Sequence, residues 1–236
     1  MKSRVYLRAS NRGVFSINYQ HALSSALYHF IEEANPDLSS ELHHSGGFKF
    51  FNFSYLRVPR AAIKGASIEL IPGAHASFHF SSPDSRILES TVSGMLSTGE
   101  FDLLGQRFEI ERIEILQTPE FSGSVRFRSL SPIYIDDGNS PRKDLMATDP
   151  EWKKRLEENT RKKYSTYRGK DTAIRFRIGD VLSFRSKRIN IAGNWWRGSM
   201  AVFDAEGDPE VLRFLWDTGI GSRNSQGMGA LGVKRN

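Results

Sequence analysis

Two adjacent histidines and a lysine lie close together near the N-terminus, at His43, His44 and Lys49. Imidazole suits proton transfer because its unperturbed pKa of about 6.5 lies near neutrality, and an ammonium group stabilises negative charge on a reacting oxygen. A tyrosine, Tyr28, precedes this block on a segment with helical spacing. Together these residue types suit general acid–base chemistry on an anionic substrate. Taken singly, each is more often an exposed helix, loop or strand residue.

A glycine-rich segment near the C-terminus, Gly219 to Gly229, is the second candidate. It consists of Gly, an apolar residue, Gly, five polar residues, Gly, an apolar residue and Gly. Glycines reach positive φ without penalty and allow close backbone approach, while Ile220 and Met228 can anchor the loop to the core. The polar residues offer hydrogen-bond donors and one fixed positive charge, Arg223, to phosphate oxygens. A tight structural turn between a helix and a strand is the alternative.

The glycine-rich segment differs from the known nucleotide-binding loops. A Walker loop ends in Lys-Ser/Thr and is followed by a helix, and neither feature is present. A dinucleotide-binding turn lies between an early strand and a helix, whereas this segment follows a helix near the end of the chain. A mononucleotide-using enzyme is therefore disfavoured.

The first half of the chain has the element order of a ferredoxin-like domain, strand, helix, strand, strand, helix, strand. Apolar residues at helical spacing predict a helix over 19–33, after which Pro36 ends it or opens a short second helix. A helix capped by Asp84 or Ser85 is predicted over 83–97. Strands, or a hairpin for the last, are predicted at 2–8, in the aromatic run FKFFNFSYLRV, at 67–71, at 75–80 and in FDLLGQRFEIERIEIL.

The second half repeats this order without an obvious sequence repeat. A strand is predicted over 124–135, a basic helix over 149–167, two further strands, and a helix over 208–219 with Asp208 as N-cap and Gly219 as C-cap. A final strand follows in MGALGVK. We therefore predict an α+β fold of two tandem ferredoxin-like (RRM-like) domains, an N-terminal domain over 1–120 and a C-terminal domain over 121–236.

The charge distribution favours a polyanionic partner for the second half. The chain has a formal net charge of +6, but residues 1–118 contain 11 basic and 12 acidic residues, so the excess lies beyond them. A basic surface without a specific partner is the alternative. The basic residues stand in the helix over 149–167, at Lys153, Lys154, Arg155, Arg161, Lys162 and Lys163, and between aromatic residues at Arg126, Arg128, Arg175, Arg177, Arg185, Lys187 and Arg188.

The composition limits the remaining classes of function. The chain contains no cysteine, which excludes disulfides, thiolate zinc sites and a cysteine nucleophile. It has neither the apolar core of a signal peptide nor an apolar run of about 20 residues, so we expect a cytoplasmic protein without a membrane segment. His75 and His79 have the spacing of metal ligands only on a helix, and their segment is predicted to be a strand. No metal or other cofactor is therefore expected.

The glycine-rich segment resembles the C-terminal signature of the RAMP superfamily (repeat-associated mysterious proteins). Within it, the chain is most similar to the CRISPR repeat-processing endoribonucleases, including a basic residue, Arg223, at the centre of the motif. The motif covers only 11 residues, but that family is generally built from two tandem ferredoxin-like domains, so the element order extends the resemblance over most of the chain.

The resemblance implies RNA cleavage without a metal, in which the 2′-OH attacks the adjacent phosphate. In better-known members a tyrosine on the first helix, and a histidine and lysine six residues apart, form the site. Tyr28, His43 and Lys49 match this pattern, and His44 is an alternative to His43. The histidine would be the general acid or base, Tyr28 the complementary or 2′-OH-orienting group, and Lys49 the charge stabiliser. The predicted RNA-binding residues are Gly219, Gly221, Ser222, Arg223, Asn224, Gln226, Gly227 and Gly229.

The resemblance also implies the partners. We expect the chain to bind CRISPR repeat RNA, and we leave open whether it forms a homodimer on that RNA and transfers its product to an effector complex. Some members of the superfamily bind RNA without cutting it. A non-catalytic RNA-binding RAMP protein is therefore the main alternative, and the block Tyr28, His43 and Lys49 argues against it.

Overall fold

The computed structural model describes residues 1–234 and divides the chain into two compact units. The first unit contains Met1–Lys49 and Tyr55–Gln117, and the second contains Phe50–Ser54 and the chain from Thr118 onward. The short segment Phe50–Ser54 therefore belongs to the second unit, although its neighbours on both sides belong to the first.

The predicted elements occur in the predicted order, together with short strands that the sequence did not indicate. In chain order they are β1 (Lys2–Ala9), β2 (Gly13–Ser16), α1 (Gln20–Ala34), α2 (Pro36–His44), β3 (Asn52–Phe53), β4 (Ala62–Lys64), β5 (Ser67–Leu70), β6 (His75–Ser81), α3 (Ser85–Thr98), β7 (Glu100–Leu103), β8 (Gln106–Leu116), β9 (Ser124–Ser129), α4 (Glu151–Arg168), β10 (Phe176–Ile191), β11 (Asn194–Gly207), α5 (Pro209–Thr218) and β12 (Leu231–Val233). A 3₁₀ turn, Asn224–Gln226, lies between α5 and β12.

In the first unit, β1 lies between β6 and β8, and β7 adds to β8. All of these pairings are antiparallel. Side chains alternate along β1, so Val5 and Leu7 are fully buried beside Phe78 and Phe80 of β6. A smaller sheet, β2–β5–β4, was not predicted at its two outer strands. Helices α1 and α3, predicted from their spacing, are both confirmed, and Asp84 caps α3 through the N–H of Arg86.

In the second unit, the strand order is β10–β11–β9–β12, with β9 and β11 in the middle. The strands are antiparallel, and the two helices α4 and α5 connect them in the ferredoxin-like order. Phe127, Phe203 and Ala205 are fully buried in the core of this unit, as are Trp152 and Leu156 of α4. The predicted fold class, two tandem ferredoxin-like domains, is confirmed.

Some predicted elements have different limits. The aromatic run after Gly47 is a strand only at Asn52–Phe53, and Phe50, shortly before it, has a positive φ that is incompatible with an extended strand. The strand predicted over 124–135 ends at Ser129. Two separate strands were predicted in DTAIRFRIGDVLSF and RINIAGNWWRGSMAVF. Residues 176–184 of the first and residues 188–191 of the second instead lie together in the single strand β10.

Candidate active site and glycine-rich loop

The first helix positions Tyr28 at the edge of a buried stripe. Leu23, Leu27 and Phe30 are fully buried, which leaves Tyr28 half-buried beside them. The helix is held tightly against α3 because Gly94 faces the backbone of Phe30, and a Cβ at Gly94 would overlap the Phe30 carbonyl oxygen. The close approach of two helices thus determines where Tyr28 lies.

His43 lies against Tyr28. Their ring centroids are 4.7 Å apart with an interplanar angle of 30°. His43 belongs to the last turn of α2, which starts immediately after α1 because Asn35 caps it: the Asn35 side chain accepts a hydrogen bond of 3.0 Å from the N–H of Leu38. The turn between the two helices therefore brings together two residues that are 15 positions apart in the sequence.

His44 has a different environment. Its Nδ1 lies 2.8 Å from the carbonyl oxygen of Ser40 on the same helix. A carbonyl oxygen only accepts hydrogen bonds, so Nδ1 carries a hydrogen atom and donates. The ring of His44 is thus held by its own helix, whereas the ring of His43 packs against Tyr28. Their adjacent positions in the sequence do not distinguish the two candidate histidines, but these different contacts do.

Lys49 closes the end of the same helix. Its Nζ donates hydrogen bonds to the carbonyl oxygens of Leu42 and Ser45 and, at 3.1 Å, to the Ser45 hydroxyl. These three acceptors use the three N–H groups of an ammonium, and the carbonyls at a helix C-terminus favour a cation. Partial burial lowers the pKa of Lys49 below the ordinary lysine value. The lysine therefore lies beside the helix end that carries both histidines.

The glycine-rich loop requires its glycines for backbone reasons. Gly219, Gly221, Gly227 and Gly229 all have φ between 74° and 82°, a conformation that other residues rarely adopt. They also face other groups closely: a Cβ at Gly229 would overlap the carbonyl oxygen of Ile220. Ile220 and Met228 are fully buried, which confirms that the apolar residues of the motif anchor the loop to the core.

Two polar side chains fill the inside of this loop. The Nζ of Lys163 donates to the carbonyl oxygen of Gly219 at 2.7 Å and to Oδ1 of Asn224 at 2.9 Å. The amide of Asn224 in turn donates to the carbonyl oxygens of Ile220, at 3.2 Å, and Met228, at 2.9 Å. The side chain of Asn224, predicted to contact RNA, is therefore used within the loop. Ser222, Arg223 and Gln226 are partly exposed.

Arg223 stacks on an aromatic ring. Its guanidinium lies 3.3 Å from the ring centroid of Trp196, and Nη1 donates to Gln226 at 3.0 Å. The guanidinium of Arg142 lies 3.7 Å from the same ring centroid. Burial lowers the pKa of Arg223 below the ordinary arginine value. The sequence did not indicate Arg142 or Trp196 as neighbours of the loop, because nothing in the local pattern connects these three segments.

The other basic positions are divided between exposed and paired ones. Arg185, Lys187 and Arg188 are exposed on β10. Arg126 forms an ion pair with Asp204 at 2.7 Å, and Arg175 with Asp208 at 2.9 Å. Asp208 stands at the predicted N-cap position of α5, but its side chain bonds to Arg175 and makes no capping hydrogen bond.

No three histidine, aspartate or glutamate side chains within residues 1–234 cluster in a way that could hold a metal ion. His75 stands on a strand, as predicted, and its Nδ1 lies 3.0 Å from a carboxylate oxygen of Glu111. Over the same range, every helix is too short or too polar to cross a membrane.

The chain has two ferredoxin-like units, and in the second a glycine-rich loop lies between the last helix and the last strand. These features define a protein of the RAMP superfamily. The chain matches the family model of the CRISPR-associated protein Cas6, N-terminal, over residues 14–114, and that of the CRISPR-associated protein Cas6, C-terminal, over residues 116–233. The chain belongs to the CRISPR-associated Cas6 family.

Individual relatives are similar over nearly the whole chain. The CRISPR-associated endoribonuclease Cas6 1 of Methanocaldococcus jannaschii is 32% identical, over 97% of this chain and 91% of the relative. The CRISPR-associated endoribonuclease Cas6 of Pyrococcus furiosus is 29% identical, over 93% and 83%. A solved structure described as a RAMP protein binding different RNA substrates has a TM-score of 0.88 and 25% identity, and the match covers 100% of both chains.

Proposed function

We propose that this chain is a metal-independent endoribonuclease that cuts CRISPR repeat RNA precursors into guide RNAs, with Tyr28, His43 and Lys49 as its catalytic residues. The endoribonuclease activity follows from the similarity to Cas6 endoribonucleases over most of the chain. The observation that supports the catalytic assignment is the ring contact between Tyr28 and His43 at the helix end where Lys49 is bound.

The proposed reaction is an attack of the RNA's own 2′-OH on the adjacent phosphorus. The 2′-O–P bond forms while the P–O5′ bond breaks, so the products carry a 2′,3′-cyclic phosphate and a 5′-OH. One proton must leave the 2′-oxygen and one must reach the 5′-oxygen. His43 transfers one of these protons, and Tyr28 transfers the other or orients the 2′-OH. His44 is the alternative to His43, because its Nε2 can transfer the same proton while Nδ1 stays bonded to the carbonyl of Ser40.

Lys49 would stabilise the negative charge on the phosphorane. All three of its N–H groups already have acceptors on Leu42 and Ser45, so at least one of these hydrogen bonds must be exchanged for one to a phosphate oxygen. That exchange loses one neutral acceptor and gains a charged one, so the Coulomb attraction between the ammonium and the phosphate favours it.

RNA binding is assigned to the second unit. The polar residues of the glycine-rich loop that are partly exposed, Ser222, Arg223 and Gln226, are suited to phosphate oxygens, with Arg223 as the main contact. The buried glycines, Gly219, Gly221, Gly227 and Gly229, give the loop its shape, and Asn224 supports it from inside. The exposed basic residues of β10 add sequence-independent, salt-dependent affinity.

The alternative is a non-catalytic RAMP protein that binds the repeat or serves as a subunit of an effector complex. The observation that favours it is that the ammonium of Lys49 is fully hydrogen-bonded within its own unit. In that case the ring contact of Tyr28 and His43 would be only a packing contact.

One assay separates the two functions. The protein is incubated with a repeat-containing RNA in excess EDTA, and cutting and binding are measured for the wild type, His43→Ala, His44→Ala and the double variant. Loss of cutting with retained binding in His43→Ala supports the enzyme. Binding without any cutting by the wild type would leave only the alternative, and no binding at low salt would refute both.

The remaining assignments belong to the same proposal. The domain over 1–120 would carry the catalytic residues, and the domain over 121–236 would carry the loop. The protein would act in the cytoplasm on CRISPR repeat RNA. A homodimer on the RNA and the transfer of the product to an effector complex are tested by measuring the stoichiometry of the RNA complex and of its mixture with that effector.

A further inference from the structure

Lys163 is a buried cation in a helix of exposed ones. The helix α4 carries six basic residues from Lys153 to Lys163, which suggested a solvated or RNA-contacting face. Lys163, however, is only 1% exposed. Lysines are almost never fully buried unless they are paired, because a buried charge is costly without compensation. The position of Lys163 therefore requires an explanation beyond a basic surface.

The neighbours of Lys163 are oxygens of the glycine-rich loop. Its Nζ donates to Gly219 O at 2.7 Å, Asn224 Oδ1 at 2.9 Å and Gly221 O at 3.4 Å. Through Asn224 this network extends to the carbonyl oxygens of Ile220 and Met228. One ammonium group and one amide thus bind carbonyl oxygens from both ends of the loop.

This cation has no anionic partner within the described chain. Across residues 1–234, no carboxylate forms an ion pair with Lys163, and the acceptors of its hydrogen bonds are all neutral oxygens. The helix α5, which packs against α4, carries the titratable groups Glu210, Arg213 and Asp217, and the loop carries Arg223. A buried ammonium without a counter-charge is costly, and an anion bound close to the loop would offset part of that cost.

We propose that Lys163 is a positioning residue for RNA: its ammonium group holds the glycine-rich loop in shape and supplies positive charge behind it, which an RNA phosphate bound outside the loop neutralises. The proposal rests on the proposed function, in which this loop binds the phosphate backbone. Lys163 does not touch the RNA. It acts through the loop, whose carbonyl oxygens it binds while Ser222, Arg223 and Gln226 stay partly exposed.

The protonation of Lys163 makes this role measurable. Burial lowers the pKa of Lys163 to about 7, so its charge is lost within a pH range in which the protein can be handled. A nearby phosphate favours the charged form. RNA binding should therefore be strongest below that pKa and should take up a proton above it.

The test compares Lys163→Met with Lys170→Met, which removes an exposed lysine just beyond the end of α4. Dissociation constants for a repeat RNA are measured from pH 6 to pH 9. At pH 6 we expect Lys163→Met to bind about tenfold more weakly. The binding deficit should shrink as the pH rises, because wild-type Lys163 then loses its charge. Lys170→Met should change binding by about twofold or less at every pH.

Three outcomes would overturn the proposal. They are wild-type affinity in a folded Lys163→Met variant at pH 6, a deficit that is the same at every pH, and an equal loss in Lys170→Met. If Lys163→Met does not fold, Lys163→Gln, which keeps an N–H donor but carries no charge, takes its place with the same expected results. If Ser222→Ala, Arg223→Ala and Gln226→Ala together leave RNA binding unchanged, the loop does not bind RNA and the RNA-binding part of the proposed function fails.

Discussion

The buried ammonium of Lys163 should make the stability of the second unit depend on pH. Folding lowers the pKa of Lys163 to about 7 from about 10.4 in the unfolded chain. Between these values the unfolded state binds one proton more than the folded state, so the free energy of unfolding rises with pH. Below pH 7 both states are protonated, and the folded state bears the full cost of the buried charge.

The size of the effect follows from the two pKa values. Integrating the difference in bound protons from pH 6 to pH 9 gives a gain of roughly 3 kcal/mol in unfolding free energy for the wild type. Lys163→Met lacks this titration. The variant also leaves the oxygens of Gly219 and Asn224 without their donor, at about 1–3 kcal/mol each, but that cost is independent of pH. The difference between the two proteins isolates the lysine.

Urea unfolding at several pH values, followed by tryptophan fluorescence, measures this difference. All four tryptophans, at positions 152, 195, 196 and 216, belong to the second unit, so the signal reports the unit that contains Lys163. We expect the wild type to gain roughly 3 kcal/mol on the variant between pH 6 and pH 9. Parallel stability curves for the two proteins would show that Lys163 is not buried as a titrating group, and would refute the reasoning.

Three further predictions concern the two sites. His43→Ala should slow cutting of saturating RNA by about 10²–10⁴-fold, and His44→Ala by less than about tenfold; a single-turnover assay in which the order is reversed contradicts the assignment of His43. Gly94→Ala should lower the unfolding free energy by about 1–3 kcal/mol or more through overpacking of α1 against α3, while Gly46→Ala, at a site with open space, should be nearly neutral in thermal unfolding. Gly229→Ala should weaken RNA binding and destabilise the second unit together, because its positive φ and its close backbone neighbour both oppose a Cβ; retained stability with intact binding would contradict the backbone role.

The sequence predicted the fold because the signals are local. Helical spacing located α1, α3 and α4 within a few residues, and Pro36 indicated the second helix. The limits were wrong where burial overrides local pattern. The aromatic content of the run after Gly47 suggested a long strand. Residues 51–54 are all buried, but only the two residues of β3 form a strand.

The candidate catalytic residues were found by type and spacing, but their arrangement was not. His43 and His44 are neighbours, so sequence could not distinguish them. The difference arises from the turn at Asn35, which sets α2 against α1 and brings His43, not His44, to the ring of Tyr28. Their roles stay predictions until the variants are measured.

The sequence by itself determined the element order, the apolar anchors of the glycine-rich loop and the kinds of side chain available for acid–base chemistry, because each depends on residue type and short-range spacing. Only the tertiary structure decided which polar groups face inward. Lys163 and Asn224 are chemically as suited to solvent or phosphate as their neighbours on the chain. They support the loop because in the folded protein their donors face oxygens of the glycine-rich loop. The hydrogen bonds of Lys163 join segments about 60 residues apart, beyond the reach of any local pattern.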